Sequence, residues 1–77
     1  MDIQNLKDVK NVCLQNIKDI YGENIQEFTI NSIVNNGNTW DVSTEFNFEG
    51  YHYTVYISLN SDGEIIKFNQ VGKTKIG

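Results

Sequence analysis

The first quarter of the chain has apolar residues at the spacing of one helical face. Between residues 2 and 21 they recur every three or four positions, which is typical of an amphipathic helix; they are Ile3, Leu6, Val9, Cys13, Ile17 and Ile20. Asp2 is of a type that caps helices, and Gly22 is of the type that commonly ends them. The pattern predicts one helix over residues 2–21.

After Gly22 the hydrophobic period changes from 3.6 to 2, which is the period of half-buried strands. Turn-forming residues recur at 35–38, 49–50 and 61–63, so the strands are predicted at 25–34, 39–48, 51–60 and 64–71. The expected fold class is α+β, with one N-terminal helix packed on a four-stranded antiparallel meander sheet. Residues 1–77 are expected to form a single domain.

The central hairpin has the clearest register. A two-residue loop at positions 49 and 50 places Phe46 opposite Tyr53 and Trp40 opposite Leu59. Because alternate side chains point to opposite faces of a strand, these bulky residues share one face. That face is predicted to lie under the helix.

The registers of the outer two hairpins depend on the lengths of their loops. A three-residue loop at 36–38 sets Val34 opposite Trp40, Ile30 opposite Thr44 and Phe28 opposite Phe46, whereas a two-residue loop at 36–37 exposes Phe28. The three-residue loop is preferred because it buries the apolar face. For the last hairpin, a turn at 62–63 pairs Leu59 with Ile66 and Ile57 with Phe68.

The opposite face of the sheet is predicted to be polar. It consists of Thr29, Asn31, Ile33, Asp41, Ser43, Glu45, Asn47, His52, Thr54, Tyr56, Ser58, Ile65, Lys67 and Asn69. One interpretation is an ordinary solvated sheet face. The other is a contact surface for a protein partner, because an aromatic among hydroxyls and amides suits docking. Its candidate residues are Tyr56, Glu45, Ser43, Thr54, Lys67 and His52.

Two further possibilities concern the sheet edges and the tail. The first and last strands offer unpaired backbone, so strand addition by a partner, or a homodimer through an edge strand, is open. The tail from Val71 either extends the last strand or frays, and fraying is the preferred interpretation.

Composition limits the classes of partner. The net charge is −4 and all six basic residues are Lys, so the forked guanidinium that grips phosphate and reads guanine is missing and direct nucleic-acid binding is not expected. A single cysteine, Cys13, cannot form an intrachain disulfide. No apolar run approaches the roughly 18 residues of a membrane span. A cytoplasmic protein with no membrane contact is expected.

Candidate chemistry is sparse. His52 has Glu45 and Glu49 as diagonal neighbours, but one imidazole with two carboxylates makes a poor transition-metal site. Ser58 lies six residues from His52 on one strand, about 20 Å away, so the two cannot form a catalytic pair. Cys13 falls in the apolar stripe of the helix. No enzyme activity, cofactor or metal is therefore expected.

Most of the chain, from about Leu6 to Val71, resembles known protein families. A helix ending in Gly, then WDVSTEF and YTVYISLNSDGEIIKFNQV, resembles the gas vesicle protein GvpO family through Trp40, Val42, Glu45, Tyr53, Val55, Asp62 and Gly63. The order of elements also resembles PepSY and cystatin-like modules. These resemblances imply protein binding without chemistry.

The expected function is a small non-catalytic interaction domain that acts as an assembly accessory or as an inhibitor of a larger protein. The alternative is an acidic, phage-type decoy that blocks a nucleic-acid-binding protein, which the size and the net charge of −4 permit.

Overall fold

The computed structural model describes residues 5–76 and contains one helix followed by four strands. The helix α1 spans Leu6–Ile20, and the strands are β1 (Gln26–Asn35), β2 (Thr39–Phe48), β3 (Tyr51–Asn60) and β4 (Ile65–Lys75). The strands form one sheet in the order β1-β2-β3-β4, and each neighbouring pair is antiparallel. The predicted α+β meander is confirmed.

The helix begins later than its hydrophobic pattern predicts. Asn5 is the N-cap, and its side-chain oxygen accepts a hydrogen bond of 3.0 Å from the backbone N–H of Asp8. The predicted cap Asp2 and the predicted stripe residue Ile3 lie outside the described residues. At the other end, Gly22 adopts φ +146°, and a Cβ there would lie 3.3 Å from the ring of Phe48. Glycine is therefore favoured at this position both by backbone conformation and by space.

The core lies between α1 and the two central strands. Val9, Cys13 and Ile17 are fully buried, and they form one cluster with the inner side chains of β2 and β3. The ends of the predicted stripe differ, because Leu6 is 60% exposed and Ile20 is 55% exposed. Only the middle of the helical stripe therefore contacts the sheet.

The register of the central hairpin agrees with the prediction. Phe46 lies opposite Tyr53, and Trp40 lies opposite Leu59. Phe46 is completely buried and Tyr53 is 7% exposed, whereas Tyr56 on the other face is 50% exposed. The bulky side chains of β2 and β3 thus face α1, and the opposite face of the sheet is left open.

The predicted register of the first hairpin is wrong near its turn. The N–H of Asn36 donates to the carbonyl of Thr39, so the loop is tighter than the three residues predicted. Val34 consequently lies opposite Asp41, and Ile33 opposite Val42. An irregularity between Ile30 and Ser32 then restores the predicted pairing of Ile30 with Thr44. The predicted pairing of Phe28 with Phe46 is not formed, because a second irregularity lies between Gln26 and Thr29.

This shift exchanges the environments of two apolar residues. Ile33, predicted on the outer face, packs against the core, whereas Val34 is 50% exposed on the outer face. The tight turn does not reduce the burial of apolar side chains in the core, because Ile33 fills the inward position predicted for Val34.

The last hairpin shows a similar one-residue correction. Leu59 pairs with Ile65 rather than with Ile66, so Ile65 packs against the core and Ile66 is 55% exposed. The side-chain oxygen of Asn60 accepts from the N–H groups of Asp62 and Glu64 and so closes a wider turn than predicted. Beyond the resulting bulge, Ile57 pairs with Phe68 as expected.

The tail extends the last strand. β4 continues to Lys75 and pairs with β3 as far as Tyr51, so both the predicted end at residue 71 and the preferred interpretation of a frayed tail are wrong. A bulge between Gln70 and Gly72 shifts the register, and the pairing with β3 continues beyond the predicted end of the strand.

Candidate interaction surface

The helix covers one face of the sheet, and within residues 5–76 no element covers the other. The most exposed aromatic side chain on this outer face is Tyr56, which projects from β3. Its cross-strand partner on β2 is Ser43, and Ser43 in turn lies opposite Ser32 on β1. A large side chain therefore stands directly beside a small one, and a second small side chain follows on the next strand.

This difference in side-chain size creates a shallow groove of about 450 Å³. Serines form its floor, and Tyr56 and Val34 are its exposed apolar walls. The full lining consists of Ser32, Val34, Asp41, Val42, Ser43, Tyr56, Ile57, Ser58, Lys67 and Asn69. The groove thus combines apolar contact area with hydroxyl, amide and charged groups, and aromatic residues such as Tyr56 are enriched in protein interfaces.

The groove contains one acid and one base on different strands. The carboxylate of Asp41 on β2 accepts a hydrogen bond of 2.7 Å from Ser58 and another from the amide of Asn36. Both donors are neutral. Lys67 on β4 lies opposite Ser58, two strands away from Asp41. The ion pairs between described residues are Lys18 with Glu23 and His52 with Glu45, so neither charge of the groove is neutralised within this part of the chain.

A second polar cluster occupies the far end of the same face. The two ring nitrogens of His52 lie 2.7 Å from the Asn47 side-chain oxygen and 2.8 Å from a Glu45 carboxylate oxygen. The other carboxylate oxygen of Glu45 accepts from Asn31, and the amide of Asn47 donates to Glu27 at 2.7 Å. This polar cluster, Glu27, Asn31, Glu45, Asn47 and His52, links β1, β2 and β3.

The hydrogen bonds of the polar cluster affect the acidity of Glu45. Because His52 and Asn31 donate to its carboxylate, the pKa of Glu45 lies below its ordinary value. The amide of Asn47 is turned toward Glu27, so both ring nitrogens of His52 face oxygen atoms of the cluster. The cluster therefore holds the carboxylate of Glu45 between two side-chain partners, His52 and Asn31.

Backbone irregularities bring β1 into the polar cluster. Glu27 has φ +53°, and Asn31 lies between the paired residues Ile30 and Ser32. Both residues fall where β1 departs from a regular ladder, and their side chains nevertheless reach Asn47 and Glu45. The side-chain bonds thus fasten β1 to β2 where the regular pairing is interrupted.

The predicted site residues separate into two groups. Tyr56, Ser43 and Lys67 meet in the groove, whereas Glu45 and His52 belong to the polar cluster. Thr54 lies between the two groups, opposite Glu45 on one side and Gly72 on the other.

Seven of the ten groove residues are not among the predicted site residues, and the two that matter most for its chemistry are Asp41 and Val34. Asp41 carried a signal in the sequence, because it alternates with buried Val42 and so was predicted on the outer face. Val34 carried none, since its position depends on the tight turn at Asn36.

The chemistry available on this face is limited. The thiol of Cys13 is completely buried on the opposite side of the sheet, and burial raises its pKa to about 12. Within residues 5–76, no group of three or more His, Cys, Asp or Glu side chains could hold a metal ion. The helix of the described chain is too short and too polar to cross a membrane.

A second cleft, of about 630 Å³, lies beside the end of α1. Its lining mixes polar and apolar residues and comprises Gly22, Asn24, Gln26, Asn47, Phe48, Glu49, Gly50 and Ile76. It contains no aromatic side chain as exposed as Tyr56, and its carboxylate, that of Glu49, accepts no hydrogen bond among the described residues.

Comparison of the chain with protein-family models, with curated proteins and with solved structures found no match. The function is therefore inferred from the two faces of the sheet.

Proposed function

We propose that this chain is a small non-catalytic protein-interaction domain that binds its partner through the open sheet face. The observation that supports this most directly is Tyr56, half exposed beside a serine-floored groove on a face that no described element covers. Tyrosine contributes a large, rigid contact area together with one hydrogen-bonding group, and it is enriched among the residues that dominate binding energies.

The irregular edges of the sheet favour binding through the open face over binding by strand addition. β1 has two register irregularities, and the register of β4 against β3 also shifts twice. Bulges interrupt the regular row of backbone donors and acceptors that an added strand would need. Each edge therefore offers only short regular segments, and a homodimer through an edge strand is the weaker alternative.

The chemistry of the groove defines the partner. Val34 and Tyr56 favour an apolar side chain between them, and Asp41, whose hydrogen bonds come only from neutral donors, favours a Lys or Arg of the partner. A chain of net charge −4 without arginine suits a protein partner better than a nucleic acid.

The biological role follows from the same features. We place the domain in the cytoplasm, since its one cysteine is a buried free thiol. As an assembly accessory or an inhibitor, it would act by occupying a surface of a larger protein.

The proposed surface can be tested by comparing what the parent and a Tyr56→Ala variant capture from the source cells. Ile66→Ala is the matched control, because Ile66 is 55% exposed and Tyr56 50% exposed, but Ile66 does not line the groove. We expect Tyr56→Ala to lower the recovery of specific partners at least tenfold, since a well-packed interface aromatic contributes about 2 kcal/mol or more. Ile66→Ala should retain them.

Salt dependence separates this function from the decoy. Docking around one aromatic and one acid should weaken little when the salt concentration is raised, whereas a decoy that mimics nucleic acid loses affinity steeply. If the parent and Tyr56→Ala recover the same proteins, and this recovery is lost at high salt, the result would contradict the proposed surface and favour the decoy.

A further inference from the structure

We infer that the groove face binds a second copy of this chain, forming a two-fold symmetric dimer that a larger partner must displace. The inference rests on the proposed function, because it uses the same face, and it adds how access to that face is regulated. A symmetric interface places one surface patch against itself, so that patch must be self-complementary. The groove has this property in both shape and charge.

The shape follows from the cross-strand pairs. Tyr56 on β3 is paired with Ser43 on β2, and Ser58 on β3 is paired with Asp41 on β2. A two-fold axis parallel to the strands, running between β2 and β3, brings each β3 residue over its own β2 partner in the second copy. Each exposed Tyr56 ring is thereby placed over the Ser43 of the other chain, where the small side chain leaves room for it.

The same axis brings opposite charges of the two copies together. It exchanges β1 with β4 as well, so Lys67 of one copy lies over Val34 of the other, beside the adjacent Asp41. Neither Lys67 nor Asp41 has an ion-pair partner among the described residues of its own chain. The dimer therefore forms two equivalent Lys67–Asp41 pairs between chains, and each pair gives a charge of the groove the partner that it lacks in the monomer.

The dimensions of the face suit such a dimer. The molecule measures 40 × 20 × 17 Å, so the broad face of the sheet is about 40 by 20 Å. Stable interfaces of standard size bury about 800 Å² on each partner, and stacked sheets lie about 10 Å apart. Two open faces in contact can therefore supply the area of a stable interface, with both helices on the outside.

Sedimentation equilibrium of the purified chain tests the inference. We expect the mass to rise from 8.8 kDa toward twice that value between about 1 µM and about 1 mM protein. Asp41→Lys and Lys67→Asp should each weaken the dimer at least tenfold, since each variant juxtaposes like charges at both symmetric contacts. The double variant, Asp41→Lys with Lys67→Asp, should restore the parent's dissociation constant to within about threefold.

Two controls keep the result interpretable. Circular dichroism verifies that each variant is folded. Lys67→Asp is the variant least expected to disturb folding, because Lys67 is exposed and forms no ion pair among the described residues. Ile66→Ala, which is off the groove, should dimerise like the parent. A chain that stays monomeric throughout, or a dimer indifferent to Lys67→Asp, overturns the inference, as does a double variant that fails to regain affinity.

The experiments distinguish failure of the dimer from failure of the proposed function. A monomeric chain whose Tyr56→Ala variant loses its captured partners refutes the dimer and leaves the proposed function standing. In the opposite case, the double variant regains the parent's dimer affinity, but Tyr56→Ala captures the same proteins as the parent. That result refutes binding of a larger partner through this face and leaves the dimer standing.

Discussion

At the scale of single residues, Cys13 shows how position in the fold determines chemistry. The helical period places its side chain beside Val9 and Ile17, and the structure buries all three completely. Because an apolar environment disfavours the thiolate, the pKa of Cys13 rises from 9.0 to about 12. A cysteine in this position is a packing residue rather than a nucleophile.

Cys13 should therefore react very slowly with thiol reagents in the folded protein. Three pKa units lower the thiolate fraction near neutral pH about a thousandfold, and burial denies the reagent access as well. We expect alkylation by iodoacetamide at pH 8 to be at least a hundredfold slower in buffer than in denaturant, as measured by mass spectrometry. Equal rates would show that the helical stripe is not buried as described.

The residue scale also shows what alternation along a strand can predict. Phe46, Tyr53 and Tyr56 lie on the faces that the two-residue loop of the central hairpin predicts. Val34 and Ile66 do not, because a single extra or missing residue in a turn reverses the face of every residue up to the next bulge.

At the scale of elements, the first strand differs most from its predicted form. Its register depends on the backbone bond from Asn36 to Thr39 and on two irregularities. Composition alone does not fix such a turn, since Asn-Gly segments support several turn types. The polar cluster could not be predicted for the same reason, because Glu27 and Asn31 reach their partners from irregular backbone.

The polar cluster makes the attachment of the first strand depend on pH. The pKa of Glu45 is lowered in the folded chain, so its carboxylate stabilises the fold above the ordinary pKa, and that contribution is lost as the pH falls through the lowered value. We expect the stability of the parent to fall more steeply between about pH 6 and about pH 3 than that of Glu45→Gln. The same acidification should lower the protection factors of the amides in residues 26–31 of the parent, after correction for the slower intrinsic exchange at low pH.

Glu49→Gln is the matched control for this experiment. Glu49 is exposed in the turn between β2 and β3, and its carboxylate has no hydrogen bond or ion pair among the described residues. Its pH profile should follow that of the parent. A Glu45→Gln profile that also coincides with the parent's would mean that the carboxylate adds nothing to the attachment of β1.

At the scale of the whole molecule, one helix can cover only one face of a four-stranded sheet. The chain places its bulky side chains on the covered face and its serines, amides and charges on the other. This division follows from hydrophobic alternation, so the fold class and the identity of the outer face are predictable from the sequence. The groove is not, because its walls depend on the corrected register of Val34 and on the packing of large against small side chains.

The most direct measurement of the central claim is photo-crosslinking from the open face in the source cells. A benzophenone amino acid replaces Tyr56 in one variant and Ile66, on the last strand, in the other; both positions are at least half exposed. Adducts should form from position 56, either with a second copy or with a larger protein, and should be scarce from position 66. Adducts that form from position 66 and not from position 56 would contradict the claim that this face is the contact surface.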